Sequence, residues 1–348
     1  MVRIDGTYGE GGGQILRTSL ALSCVLRKPV AITGIRAGRK KPGLQPQHLT
    51  SVRAAAAVGQ AEVRGAELAS TAIEFIPTAA RGGVFHFDVA EKTGSAGSAS
   101  LVLQTVLLPL CCAEQPSTVT VSGGTHVPWS PSFHYLSAIV APLLTRLGAE
   151  IRFSIGPWGW YPRGGGQVSA RITPVRMLRP LALIDRGGLL RVSGLSAVAN
   201  LPRHIAARQR DRALAVLSAH GIDGSIDLQD ATSPGKGSFL FLCSEYQNIV
   251  AGFGSLGAIG KPAEAVADEA CSAFLAHDHT TAALDPHLAD QIVPWLAFCR
   301  GTSEFSTSRI TQHLLTNLWV LRQFMDIDVR VDGEEGEEGR VVIHPRST

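Results

Sequence analysis

Charge is scarce in this sequence. Only 18% of its 348 residues are Asp, Glu, Lys or Arg, and aromatic residues make up 6%. That composition excludes a charge-coated binder, and 45% hydrophobic residues with 37 Gly and 19 Pro describe a globular chain rich in tight turns. No apolar run is long enough for a membrane span: LVLQTVLLPLCCA is short and is broken by Gln104 and Pro109. The six cysteines, at 24, 111, 112, 243, 271 and 299, form no CxxC and no framework spacing. Free thiols in a reducing compartment are expected. MVRIDGTYGE lacks a secretory pattern, so a cytoplasmic protein is expected. Neither G-x-x-x-x-G-K-[ST] nor G-x-S-x-G occurs, which leaves no Walker nucleotide site and no serine-hydrolase elbow.

What charge there is lies unevenly. Residues 1–180 carry a net +9 and residues 181–348 a net −6, for +3 overall. A basic half within an ordinary total suggests a local anionic ligand, and chance placement of surface charge fits the count equally well.

A loose unit recurs along the chain: a glycine-rich turn, an amphipathic helix, then strand-like alternation. GEGGGQ leads into ILRTSLALSCVL and PVAITGI; GSAGSAS leads into LVLQTVLLPLCCA and STVTVSGG; FHYLSAIVAPLLTRLGAEI leads into IRFSIG and YPRGGGQVSARITPV. Periods of 3.6 and 2 that alternate in this way predict repeated α+β units, each sheet covered on one face by helices. Residues 186–279 break the rhythm with LLRVSGLSAV, IAARQRDRALAVLSAH, SFLFLCSE and AEAVADEACSAFLAH. They read as a smaller α+β domain inserted between a first large-domain part (1–185) and a second (280–348). GFGSLG (252–257) matches G-x-G-x-x-G, but without a convincing preceding strand it reads as a turn in that insertion. The acidic DGEEGEEGR reads as a solvated hairpin loop.

Three stretches carry candidate chemistry. In GEGGGQILR, glycines before a helix let backbone N–H groups approach an anion, and Arg17 follows about one turn into the helix. Glu10 in that loop suits phosphate only through a divalent cation, or is simply a surface acid on a tight turn. GIRAGRKKPGLQPQHL crowds Arg36, Arg39, Lys40 and Lys41 beside Pro-Gly turns, where an anion is a natural complement and a solvated basic loop the plainer reading. In ITQHLLTNLWVLRQF, Ile310, Leu314, Leu315, Leu318, Leu321 and Phe324 mark a core face, and His313, Thr316 and Asn317 share another. Thr311 as N-cap puts His313 in the first turn, where the helix dipole disfavours a positive imidazole. A neutral ring is what a base or nucleophile requires, although a satisfied, half-buried histidine accounts for the pattern as well. Asp290 in HLADQ is a candidate N-cap. His126 and Trp129 in SGGTHVPWSP have no evident role, and His126, His134, His277 and His279 lack metal-ligand spacing.

Taken together, GEGGGQILR, IRAGRKKPGLQPQHLT, GSAGSASLVLQT, SGGT, YPRGGGQV, LPRH, HLADQ and QHLLTN make the chain resemble the RNA 3′-terminal phosphate cyclase family, in the family's order from residue 9 to residue 317. The resemblance implies a large domain of βαβαββ-type units, like the C-terminal domain of bacterial translation initiation factor 3, with a small α+β insertion. It implies ATP-dependent conversion of an RNA 3′-phosphate to a 2′,3′-cyclic phosphodiester through a histidinyl-AMP at His313 and an RNA-(3′)pp(5′)A anhydride. By position, Glu10 matches the metal-binding glutamate, for Mg²⁺ or Mn²⁺. Arg17, Arg36, Arg39 and Gln47 match the catalytic polar residues, and Gln104 with His287, Leu288, Ala289, Asp290 and Gln291 the ATP-binding stretches. The expected partner is RNA with a 3′-terminal phosphate, with no membrane and a homodimer left open. Gln45, Pro46, His126 and Trp129 depart from the family's pattern. Two rivals remain: a ribosome-assembly protein of the same fold without the nucleophilic histidine, and an enolpyruvyl transferase.

Overall fold

A computed structural model of the chain describes residues 1–90 and 96–345. Residues 94 and 95 of the GSAGSAS turn therefore lie outside the described residues. The first unit comprises β1 (Val2–Asp5), α1 (Gly13–Leu26), β2 (Val30–Thr33), α2 (Pro46–Gly59), β3 (Glu62–Arg64) and β4 (Ile73–Ile76). Its sheet has the order β1-β2-β4-β3, with β1 parallel to β2 and the other pairs antiparallel.

The second unit runs β5 (Val84–Asp88), α3 (Ala99–Cys111) and β6 (Ser117–Gly123). A helix built from α4 (Phe133–Tyr135), a π-turn (Leu136–Val140) and α5 (Ala141–Arg146) follows, then β7 (Ile151–Ile155) and β8 (Gly166–Ile172). The order β5-β6-β8-β7, with one parallel pair followed by two antiparallel pairs, repeats that of the first sheet.

After the short β9 (Ala182–Leu183) the chain leaves this pattern. It forms β10 (Leu189–Ala199), α6 (His204–Ala219), β11 (Gly224–Asp230), β12 (Gly237–Tyr246), β13 (Val250–Leu256) and α7 (Ala263–Asp278), with sheet order β11-β10-β12-β13. Val192, Leu217, Leu240, Leu242 and Phe274 belong to a hydrophobic cluster of this region's own. GFGSLG corrects the expected turn, since it lies mostly within β13. Gly252 and Gly254 serve packing: a Cβ would meet Ile139 at 2.6 Å and Phe239 at 3.1 Å. The chain then supplies α8 (Pro286–Leu296), β14 (Ser303–Thr307), α9 (Gln312–Phe324), β15 (Ile327–Asp332) and β16 (Gly339–Pro345). The last sheet has the order β15-β16-β14-β9, again with one parallel pair, β9 with β14.

The helices meet at the centre. α1 touches α2, α3 and α9, while α8 packs on α9. Thus α1 is buried over most of its circumference, including Thr18, Ser19 and Ser23 as well as Ile15, Leu16 and Leu20. This convergence brings the N-termini of α1, α2 and α9, from distant parts of the sequence, to one place. The architecture is mixed α+β. All six cysteines are unpaired, and among the described residues no helix is long and apolar enough to cross a membrane.

Candidate active site

The site is built around the start of α9. Thr311 has extended backbone and its hydroxyl accepts from Leu314 N at 3.0 Å, so it is the N-cap, and His313 lies in the first turn. His313 Nδ1 is 3.1 Å from Glu10 Oε1, and Glu10 Oε2 accepts from Arg39 Nη2 at 2.6 Å. A carboxylate only accepts hydrogen bonds, so the ring proton sits on Nδ1 and the lone pair on Nε2. Although 43% of the side chain is exposed, desolvation pulls the imidazole below its usual pKa. Glu10 works in the opposite direction, while Arg17, His287 and Arg39 depress it further. The ring is held neutral, with a nitrogen lone pair left over for chemistry.

Glycine geometry brings the two loops together. Gly11 has φ +54°, and a Cβ there would lie 2.9 Å from Gly38 N in the arginine loop. At Gly13 a Cβ would come within 2.3 Å of His48 Nε2 and 3.1 Å of Arg17 Nη1. The GEGGGQ loop thus lies directly on the basic loop. It is also clamped to α9: Tyr8 stacks on Trp319 with centroids 4.1 Å apart, and Gln14 Nε2 donates to the His313 carbonyl at 3.1 Å. Arg17 is half-buried, and desolvation lowers its pKa to about 10, so it stays charged at neutral pH. Arg36 braces its own loop, its Nη1 donating to the carbonyls of Lys41 and, at 3.1 Å, Gly43.

α8 closes another side. Its N-cap is Asp285, not Asp290: Asp285 Oδ1 accepts from His287 N and Leu288 N, both at 3.0 Å, and from Tyr135 Oη at 2.7 Å. Pro286 directly after Asp285 marks that start, because proline suits the first helical position. Asp290 is instead buried on the inner side, where desolvation and the nearby Asp285 carboxylate push its pKa well above the ordinary range against the pull of Arg17. Leu288 and Ala289 are fully buried, so their side chains seat α8 in the core, while His287 is exposed. Gln104 Nε2 donates to Gln291 Oε1, which joins the two stretches matched to nucleotide binding. Gln47 Oε1 accepts from Ser98 N at 3.0 Å, at the N-cap of α3.

Thr316 and Asn317 do not share an open face with His313; both are buried. Asn317 Oδ1 accepts from Thr18 Oγ1 at 2.7 Å and its Nδ2 donates to the Asp290 carbonyl at 2.7 Å, so one side chain ties α9 to α1 and α8.

His48 escaped sequence reasoning. It lies between the arginines, with its pKa pulled down to about 3 by burial, Arg17 and Arg36, and its Nδ1 lacks a hydrogen-bond partner. Only the contact with Gly13 and Arg17, formed across the fold, singles it out.

The four histidines weighed as metal ligands lie in two places, His126 with His134 and His277 with His279 at the end of α7. His126 and His134 hydrogen-bond to each other, Nε2 to Nδ1 at 3.1 Å, with His126 stacked on Trp158. His277 bonds Ser308 elsewhere. No group of three or more potential metal-ligating side chains occurs among the described residues. The acidic loop is exposed as expected, but it docks on the approach to α9. Ile310 N donates to the Glu337 carbonyl at 2.7 Å, and the Gln312 amide, turned to donate, reaches Glu335 Oε2 at 2.8 Å.

This arrangement defines a class: an α+β protein whose site joins a neutral, carboxylate-oriented histidine to a cluster of arginines suited to phosphate groups. The RNA 3′-terminal phosphate cyclase family model matches residues 8–331, and the chain belongs to that family. It is 48% identical to the RNA 3′-terminal phosphate cyclase of Methylococcus capsulatus over 350 residues, which covers 99% of this chain and 96% of that one. With the same-named protein of Nostoc punctiforme it shares 43% over 335 residues (95% and 96%), and with that of Pyrobaculum aerophilum 44% over 329 residues (94% and 93%). Among solved structures, the enolpyruvyl transferase NikO from Streptomyces tendae aligns with a TM-score of 0.39 and 12% identity. The alignment covers 99% of this chain and 48% of that chain, and a likeness so distant carries no argument.

Proposed function

We propose that the protein converts RNA 3′-terminal phosphates to 2′,3′-cyclic phosphodiesters at the cost of ATP, with His313 as covalent carrier of AMP. The observation that carries this reading is the Glu10–His313 contact at 3.1 Å, in a helix first turn within electrostatic reach of Arg17, Arg39 and His287. His313 Nε2 attacks the α-phosphorus of ATP and pyrophosphate leaves with its bonding pair. A terminal phosphate oxygen of the RNA then displaces the imidazole, giving RNA-(3′)pp(5′)A. Attack by the adjacent 2′-OH on the RNA phosphorus closes the ring and expels AMP, the 2′ proton passing to a base. A neutral imidazole is a competent nucleophile and leaving group. The ring closure gains up to roughly 7–11 kcal/mol from proximity if the geometry is ideal.

Charge governs the rest. The transferred phosphorus gathers negative charge, and fixed cations aimed at it lower the barrier most. Arg17 and Arg39 are placed for that, and Arg36 and Gln47 keep the basic loop and the start of α3 in register. Gln104, His287, Asp290 and Gln291 would line the nucleotide's side. A divalent cation fits through Glu10, because Mg²⁺ is bound by one or two carboxylates together with substrate phosphates, and Arg39 would yield Oε2 to it. When bound, the cation would neutralise phosphate charge; Mg²⁺ and Mn²⁺ both suit an oxygen donor.

We read the three like-ordered sheets as copies of one initiation-factor-3-like unit, with domain limits at 1–185, 186–279 and 280–348. We place the protein in the cytoplasm, with a homodimer left open. A non-catalytic assembly role gains nothing from a histidine so oriented, and family membership disfavours an enolpyruvyl transferase.

The test is an RNA oligonucleotide labelled at its 3′-phosphate, incubated with the protein, ATP and Mg²⁺ or Mn²⁺. The label should become resistant to phosphatase, and only when ATP is present. Label that stays phosphatase-sensitive under every metal, with RNA bound, would favour the assembly role.

A further inference from the structure

Trp129 is 98% exposed and has φ +64°. Either feature is unusual for a tryptophan. A bulky residue in the left-handed region is a strained outlier, and such strain gathers where a ligand is held. The other four tryptophans are covered: Trp158, Trp160 and Trp295 are buried and Trp319 stacks on Tyr8.

The exposed ring does not sit on a loose loop. His126 and Val127 before it are buried, and Pro128 and Pro131 flank it. The next residue, Ser130, hydrogen-bonds through its hydroxyl to that of Ser98, which caps α3 and whose N–H donates to Gln47. A short relay therefore joins the loop that carries the ring to the start of α2, where the arginine loop ends. Further along α2, Thr50 and Arg53 line an open groove of about 350 Å³ together with His86 and Gln167.

Resting on the function proposed above, we infer that Trp129 is a stacking platform for a base in the last two nucleotides of the RNA substrate. A flat π surface with both faces in water, on a loop tied to the start of α2, suits a nucleobase. An adenine subsite for ATP would instead be enclosed, since small-ligand sites bury most of their ligand. The bland reading is an accidental surface tryptophan, and that makes its own prediction. Glycine at 129 would relieve the φ strain and lose nothing.

The test measures binding of a 5′-fluorescent hexaribonucleotide 3′-phosphate, and of versions abasic at the last or the penultimate position, to the wild type, Trp129→Phe and Trp129→Gly. One base on one aromatic ring contributes on the order of 5- to 150-fold in affinity. Trp129→Gly should weaken binding by that much and Trp129→Phe by less. Removing the stacked base should weaken the wild type but leave Trp129→Gly unchanged. Trp129→Gly binding as tightly as the wild type, or losing as much as the wild type from both abasic substitutions, overturns the inference. So does a fall in RNA-independent labelling by ATP in Trp129→Gly, which would assign the ring to the nucleotide. A wild type that neither takes label from ATP nor binds this RNA defeats the proposed function itself.

Discussion

Asn317→Ala removes the side chain that holds the helix of His313 against both of its neighbours. The residue is 3% exposed, and its amide makes two hydrogen bonds of 2.7 Å, from Thr18 Oγ1 and to the Asp290 carbonyl. Each such bond contributes about 1 kcal/mol net, but truncation also strands a buried hydroxyl and a buried carbonyl, at roughly 1–3 kcal/mol apiece. Relaxation around a small cavity recovers part of that, so a loss of about 2–4 kcal/mol is expected. Equilibrium denaturation in urea should show it as a lower midpoint at unchanged slope. Loosening α9 also frees His313 from α1 and α8, so adenylation should slow more than tenfold even where the variant is fully folded, since small misplacements of a reacting group are costly. Asn317→Asp keeps the acceptor for Thr18 but loses the donor to the Asp290 carbonyl and buries a charge facing that carbonyl oxygen; it should be no better than alanine. Stability of Asn317→Ala within about 0.5 kcal/mol of wild type would refute the claim that this side chain is the tie.

Other expectations follow from the same geometry. Gly13→Ala puts a Cβ 2.3 Å from His48 Nε2; displacing His48 and Arg17 should cost about 1–3 kcal/mol and abolish adenylation, as single-turnover assays would show. Acid should destabilise the fold through its buried histidines. Burial lowers the pKa of His134 to about 4 and that of His126 well below normal, so the unfolded chain takes up protons first as pH falls below about 6.5. Stability should be full above that pH and decline towards pH 4, with His134 alone contributing about 3 kcal/mol to the loss; His134→Asn should flatten the curve, and a flat wild-type curve would exclude the effect. Glu10→Gln removes the charge that raises the pKa of His313, so the acid limb of the adenylation profile should move to lower pH while the plateau rate falls.

Local signals made much of this site legible in the sequence. Thr311 followed by apolar residues at helical spacing places α9 to within two residues of the expected 310–324. Glycine loops beside arginines suggested a shared anion site, and the two loops do lie against each other. The break in rhythm at 186–279 contains β10 to α7, from Leu189 to Asp278. Errors arose where one residue type serves two purposes. The glycines of GFGSLG looked like turn formers, but they lie in a strand because Ile139 and Phe239 leave no room for a side chain. Asp290 looked like a cap, while the true cap, Asp285, stood before a proline five residues earlier. Asn317 seemed to belong to the face of His313, and it turned inward because α1 and α8 pack there. His48 and the docking of the acidic loop beside Gln312 depend on contacts between distant segments, and no periodicity carries them.

The most direct measurement is a search for a covalent nucleotide. Incubation with ATP labelled at the α-phosphorus and Mg²⁺ or Mn²⁺ should give protein carrying AMP through a phosphorus–nitrogen bond, labile in acid and stable in alkali, and none on His313→Ala. Label that persists on His313→Ala would move the nucleophile elsewhere, and a wild type that never acquires label would contradict the account.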